Sequence, residues 1–236
     1  MKKILMSGGN GSFAKQLLKV NNKFDIIAPS KKEMDITKIE DIDFGVGYYK
    51  PDYFIHSGAF VRPMKLHNTN PEKSIKTNII GTSNVVLTCI KHKIKLIYIS
   101  TDYVYPGDNG NYKETDSLLP INKYAWSKLG GECAVRLYDN SLILRISMTN
   151  KPFPHKKALV DCYRSILFDE EASKITLNLL DEFGVINVGG ESKSIYEFVK
   201  SYEPKIEKIY LNDIKDVDMP SNLTMNTKKM KDTLGK

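Results

Sequence analysis

Short apolar runs alternate with stretches of helical spacing along most of the chain. The runs are Lys3–Ser7, Phe24–Ala28, Asp52–His56, Lys95–Ser100, Ser141–Ile146 and Gly184–Val188. Each is too apolar to leave one face in water, which predicts parallel strands covered on both sides. Between them, Phe13–Val20 reads as a helix with Leu17 and Leu18 inward, and Pro29 stops the second run. Thr37 and Glu40 have the spacing of a capping box, so a helix is expected from about Lys38. Pro71 suits the first turn of a long helix ending near His92. Tyr124–Tyr138 is predicted helical, and another helix is expected near 158–172. The expected fold class is α/β: a Rossmann-type doubly wound parallel sheet with a small C-terminal lobe. Residues 1–150 would form the dinucleotide-binding domain. Residues 151–236 would form a small substrate-binding lobe, partly interleaved with the first and ending in a loose Pro-, Asn- and Lys-rich tail.

Composition narrows the class. The chain has 236 residues, 41% of them hydrophobic, and a net charge of +7. That core is too large for a disordered chain, and the charge favours anionic ligands in general. The lysines are dispersed rather than clustered, so no nucleic-acid partner is expected. Cys89, Cys133 and Cys162 form neither a CxxC motif nor an even disulfide set, which suits a reducing compartment. No apolar stretch approaches the roughly 18 residues of a membrane span, and the basic start is followed by too short an apolar run for a signal peptide. A cytoplasmic protein without a membrane or metal is the expectation.

The turn after the first strand reads Ser7-Gly8-Gly9-Asn10-Gly11-Ser12-Phe13-Ala14. Gly8, Gly11 and Ala14 occupy the three small positions of a dinucleotide turn: the tight bend, the close approach to pyrophosphate, and helix–strand packing. The helix N-terminus that follows offers free N–H groups to phosphate. Gly8, Asn10, Gly11, Ser12 and Phe13 are therefore candidate cofactor contacts. An NAD-selective site places an acidic residue at the end of the second strand. Here Ser30-Lys31-Lys32 stands there and suits a 2′-phosphate, which puts NADPH ahead of NADH.

Tyr124 and Lys128 lie four residues apart, on one face of the predicted helix. A fixed cation lowers a phenol's pKa toward the range where it exchanges protons. Ser100 and Thr101 close the fourth strand, at the sheet end where ligands of such folds bind. Asn78, on the preceding long helix, could orient a water or the backbone near Lys128.

With these residues in view, the chain resembles the extended short-chain dehydrogenase/reductase family. The matching motifs are Gly8-x-x-Gly11-x-x-Ala14, His56-Ser57-Gly58-Ala59, Asn78-x-x-Gly81-Thr82, Ser100-Thr101-Asp102-Tyr103-Val104-Tyr105 and Tyr124-x-x-x-Lys128. Within the family it looks most like the nucleotide-sugar 4-reductases of the dTDP-4-dehydrorhamnose reductase type, through Met34-Asp35-Ile36-Thr37 and Glu114-Thr115-Asp116. The resemblance implies that Tyr124 protonates a carbonyl oxygen, Thr101 polarises it, and Lys128 holds the nicotinamide ribose and tunes Tyr124. Ser57, Gly58 and Ala59 would line the path from adenosine to pyrophosphate, with Asp35 and Ile36 beside the adenine. Arg145, Ile146 and Ser147 would lie beside the nicotinamide. Asn78 and Tyr124 join the cofactor set. Val61, Arg62, Asp102, Tyr103 and Arg145 are the candidate substrate contacts. Arg62, Lys157 and Arg164 could contact phosphates, but each reads first as a solvated charge.

Sugar-nucleotide dehydratases of this family carry Asp-Glu directly after the Thr. Tyr103 follows Asp102 here, which disfavours elimination. The chain is short for the branch, lacks the usual loop at Ser147–Pro154, and has Met219-Pro220 where Arg-Pro is common. Three functions follow as expectations: an NADPH-dependent reductase of a dTDP- or UDP-linked 4-keto-6-deoxy sugar; a nucleotide-sugar epimerase with tightly held NAD; and a non-catalytic nucleotide-binding regulatory subunit of the same fold. The resemblance also implies a homodimer through the helices of Asn78 and Tyr124, with Ile75, Ile79, Val86 and Ile90 at an interface or in the core.

Overall fold

The computed structural model describes residues 1–235. Six strands form the central sheet: β1 (Lys3–Ser7), β2 (Asp25–Ile27), β3 (Tyr53–His56), β4 (Lys95–Thr101), β5 (Ser141–Ile146) and β6 (Gly184–Val188). All pair in parallel, in the order β2-β1-β3-β4-β5-β6. The chain reverses its direction of winding between β1 and β3, and in open parallel sheets a ligand crevice opens outside the strand ends at such a point.

Side chains alternate across the sheet as period-two geometry requires. Ile4, Met6, Ile55, Ile97 and Ile99 face α1 (Ser12–Val20), together with Ile175 of a later helix. Leu5, Phe54, Leu96, Tyr98 and Ile143 face the opposite layer of α2 (Ile39–Tyr49), α3 and α4 (Lys123–Val135). Helix α3 is continuous from Pro71 through a π-helical stretch, Ile75–Ile80, into Gly81–His92. The Asn70 side chain caps its start by accepting from the Lys73 N–H. Helix α5 (Asp169–Asn178) packs against α1 on the first face.

Several local expectations change. Leu18 is exposed, while Phe13, Ala14 and Leu17 carry the inward face of α1. The capping box at Thr37 does not form: its hydroxyl donates to Asp35, and Lys38 occupies the cap without a side-chain bond. Residues 158–172 are not one helix. Short strands at Lys157–Leu159, Tyr163–Arg164 and Leu167–Phe168 precede α5. The apolar residues there, Ala158, Leu159, Cys162 and Ile166, pack with Ile195 and Val199 in a separate small core. This pairing with distant segments overrides local helical spacing. The tail is not loose: Leu223, Met225 and Met230 are buried, and Asn222–Leu223 pairs with Tyr163–Arg164. Val86 is core, whereas Ile75 and Ile90 are exposed on α3.

No helix among the described residues is long and apolar enough to cross a membrane.

Candidate active site

A cleft of about 410 Å³ opens at the carboxyl ends of β1, β3, β4 and β5. One wall is the glycine turn. Gly8 sits at φ +81°, a backbone state that favours glycine, and a Cβ there would fall 2.9 Å from the Gly58 backbone. The Gly11 N–H bonds back to the Gly8 carbonyl at 2.8 Å. Gly9 donates to the Pro29 carbonyl, so the end of β2 lies against the turn.

His56 holds this wall together. The Thr82 hydroxyl gives its proton to the Asn78 carbonyl and so can only accept from His56 Nε2, at 3.0 Å. His56 Nδ1 then accepts from the Ser7 hydroxyl at 2.7 Å, and Ser7 Oγ accepts the Gly58 N–H at 3.1 Å. The imidazole is neutral: burial, with help from the Lys128 charge, pushes it down to about 3. Ser57 adds a bond from its hydroxyl to the Ser7 carbonyl. The β1 and β3 turns are thereby fixed to each other.

The floor of the cleft carries Thr101, Tyr124 and Lys128, with Ile99 and Ile146 beneath. Lys128 Nζ donates to the Ile99 carbonyl at 2.8 Å and lies 4.2 Å from the Tyr98 ring centroid. Burial lowers this ammonium to about 7, against the opposing pull of Glu132 one turn along α4. Tyr124 is held between the His67 and Tyr103 rings, both edge-on to it. Burial pushes its phenol up, as do Tyr103 and Asp102, while the Thr101 hydroxyl and the Arg164 guanidinium pull it down. Arg164 is a second cation beside Lys128 with a downward pull on this phenol, and the sequence pattern did not name it.

Arg164 forms the opposite wall. It comes from the C-terminal lobe, chelates the Asp102 carboxylate, with Nε to Oδ2 at 2.8 Å, and lies 4.3 Å from the Tyr103 ring centroid. It is not a solvated charge, and spacing alone gave no sign of it. The only sequence signal is an arginine inside the otherwise uncharged run Cys162–Phe168. Met64 after β3, Met148, Thr149 and Asn150 just after β5, and Asp169 at the start of α5 also line the cleft and were missed, because no local motif marks them.

Gly8, Gly11, Ser12, Phe13, Ser57, Ala59, Val61, Arg62, Tyr103 and Ile146 lie around the cleft. Other candidates stand apart from it. Arg145, expected beside substrate, is fully buried behind the sheet end, bonded to Glu132 at 2.6 Å and to the Tyr105 hydroxyl at 2.7 Å. Asp102 is sealed under Arg164. The Ile36 side chain packs against Gly81 in the core instead of reaching the cleft. Asn78 is spent on the Phe60 backbone and the Ser127 hydroxyl, so it shapes the loop after β3 without lining the cleft. Asp35 binds Thr37 and Lys31; Ser30, Lys32 and Asn10 lie near the β2 edge or turn surface.

A parallel sheet with a glycine turn at its switch point and a Thr–Tyr–Lys floor defines a Rossmann-like fold of the extended short-chain dehydrogenase/reductase type. Residues 1–161 match the family model described as RmlD substrate binding domain, and the chain belongs to this family. It is 29% identical over 154 residues to dTDP-4-dehydrorhamnose reductase of Aggregatibacter actinomycetemcomitans, which covers 63% of this chain and 52% of that protein. It is 26% identical over 181 residues to methionine adenosyltransferase 2 subunit beta of Bos taurus, covering 72% of this chain and 52% of the other. The chain spans about half the length of these curated relatives. The crystal structure of dTDP-4-dehydrorhamnose reductase from Bacillus anthracis in complex with NADP superposes with a TM-score of 0.89 at 26% identity, over 98% of this chain and 92% of that one.

Proposed function

We propose that this chain is an NADPH-dependent reductase of a nucleotide-linked 4-keto-6-deoxy sugar. The observation that carries the reading is the meeting of Thr101, Tyr124 and Lys128 with the Gly8–Gly11 turn in one cleft. The residues fit a dinucleotide. Gly8 and Gly58 leave the turn bare of side chains where the chains approach, and Lys31 and Lys32 stand exposed at the end of β2 for a 2′-phosphate. NADP bound to the Bacillus anthracis relative supports the same choice. The cofactor would supply a hydride to the sugar carbonyl carbon. Ser12 and Phe13, at the N-terminus of α1, would face its phosphates. Lys128, already aimed at the cleft floor, would hold its nicotinamide ribose.

Tyr124 is the proton donor to the carbonyl oxygen as that oxygen gains charge. Its buried phenol keeps its proton at neutral pH, which suits an acid that must be loaded before reaction. Thr101 steadies the oxygen that forms. Tyr103 and Arg62 line the part of the cleft left for the sugar nucleotide. The reductase named among the relatives supports this substrate class. Two copies paired through α3 and α4 are the proposed assembly. The test is absorbance of NADPH after addition of dTDP-4-keto-6-deoxyglucose. Loss of absorbance in step with added sugar is expected; no loss with either the dTDP- or UDP-linked sugar rejects the reductase.

A second reading has its own support. A relative named as the beta subunit of methionine adenosyltransferase 2 supports reading this chain as a subunit of a larger enzyme, with the cleft binding a nucleotide without turnover. The discriminating result is a cellular activity that survives Tyr124→Phe.

A further inference from the structure

Arg164 and Asp102 form an ion pair whose carboxylate is fully buried and whose guanidinium edges the cleft. A buried carboxylate with no cation is costly, and Arg164 supplies the cation that chelates Asp102. The same carboxylate accepts the Thr101 hydroxyl proton at 3.1 Å, and Thr101 Oγ in turn accepts the Tyr103 N–H at 3.3 Å. Thr101 therefore has two acceptors within reach of its one proton: the Asp102 carboxylate, and the Tyr124 oxygen, whose ionisation the same hydroxyl eases. While the proton is on the Asp102 side, the hydroxyl offers Tyr124 only lone pairs.

We propose that Arg164 is a positioning residue: by chelating Asp102 it satisfies that carboxylate, which leaves the Thr101 hydroxyl free to turn from Asp102 to the Tyr124 oxygen once that oxygen carries charge. The inference rests on the reading of Tyr124 as the proton donor. The balance is simple. The Tyr124 proton moves to the substrate oxygen, the Thr101 proton stays on Thr101, and only its acceptor changes. Asp102 gives up one bond of several, because the two bonding nitrogens of Arg164 remain. The lobe thus acts on the floor of the cleft through a chain of three side chains: Arg164, Asp102 and Thr101.

Six charged or titratable groups face Tyr124: Asp102, Tyr103 and Arg164, His67 from the short helix Leu66–Thr69, Tyr98 on β4, and Lys128 on its own helix. Arg164 and Asp102 act on it with opposite signs. The bare charges alone make the two losses opposite. A positioning role through Thr101 makes that opposition shrink when Thr101 is replaced by Val, and displacements equally large in the Thr101→Val background overturn it.

The test uses the full chain labelled with [13Cζ]tyrosine, with NADP⁺ present, and the Tyr124 resonance assigned by its absence in Tyr124→Phe. The resonance is followed across the pH range in which the protein stays folded. Arg164→Met is expected to move Tyr124 ionisation to higher pH, since the guanidinium that eases it is gone and Asp102 keeps the Thr101 hydroxyl. Asp102→Asn is expected to move it to lower pH, since Arg164 then acts alone and Thr101 is released. Curves coincident with wild type, or displaced in one direction by both variants, overturn the proposal. If one variant does not fold, the displacement of the other, with and without Thr101→Val, decides. Opposite displacements that shrink with Thr101→Val, in a protein that consumes no NADPH, leave the positioning chain standing and reject the reductase.

Discussion

The two walls of the cleft are built by different means. The glycine wall joins turns from adjacent strands, β1 and β3, and is tied by a neutral histidine in a file of hydroxyls and backbone groups. The lobe wall is a charged pair between residues 62 positions apart, Asp102 after β4 and Arg164 on a two-residue strand. Neutral hydrogen bonds contribute about 1 kcal/mol each and hold position at any moderate pH. A buried ion pair is a poor source of net stability but strongly resists loss of one partner. The comparison suggests a division of labour: one wall fixes a cradle, and the other sets charge beside the reacting group. Tyr124 stands between them.

The largest expected effect is at that boundary. Tyr124→Phe should lower NADPH turnover by about 10²–10⁴-fold, the usual worth of a positioned proton donor. It should weaken NADPH binding far less, because in the proposed reading the glycine turn and Lys128 carry the phosphates and ribose. Stopped-flow turnover and a fluorescence titration of NADPH give the two numbers. A parallel loss of both would show that the walls are not separable.

The glycine wall was legible in the sequence because its parts are local. The apolar runs place β1 and β3, and the turn residues follow from their ends. Tyr124 and Lys128 are legible for the same reason, one helical turn apart on α4. Arg164 was not, since nothing local says that Tyr163–Arg164 will pair with Lys193–Ser194 and Asn222–Leu223. The same blindness misplaced Arg145. Its strand position is right, but its side chain is drawn backward by Glu132 and Tyr105, partners 13 and 40 residues away. His56 was quoted within a motif, and only the structure gives it a purpose.

The next effect in size separates the walls by pH. His56 stays neutral in the folded chain down to about 3, while an unfolded histidine protonates below its ordinary value of 6.5. Between those values the unfolded state binds the extra proton. The stability His56 contributes is thus present above pH 6.5 and is lost as pH falls toward 3. Each pH unit in that window costs about 1.4 kcal/mol. His56→Gln should start less stable and then decline less steeply between pH 6.5 and 4, as measured by urea unfolding at several pH values. His67 and His155 are common to both proteins and cancel in the difference. Parallel declines would mean that the histidine is not held neutral.

A smaller effect probes the same wall without titration. Gly8→Ala places a methyl 2.9 Å from the Gly58 backbone at a positive φ. Strain of this kind costs about 1–3 kcal/mol. A fall in the midpoint of thermal unfolding, with weaker NADPH binding and an unchanged Tyr124 resonance, is the expected result. Movement of that resonance would couple the walls that the comparison keeps apart.

The smallest effect is at the rim, where neither kind of wall operates. Lys31 is exposed and only loosely paired with Asp35, at 3.5 Å, and Lys32 is exposed as well. Charges this solvated contribute about 0.2–1 kcal/mol each. Lys31→Ala and Lys32→Ala should therefore each weaken NADPH by no more than about fivefold. NADH, which lacks the 2′-phosphate, should be unaffected. The difference should shrink as salt is added, because exposed charges are screened over about 10 Å at 0.1 M. Calorimetric titration of both cofactors at low and high salt measures it. A double variant that keeps the wild-type ratio of NADPH to NADH affinity would move cofactor selectivity away from the end of β2. Selectivity would then have to come from groups held as firmly as those of the two walls.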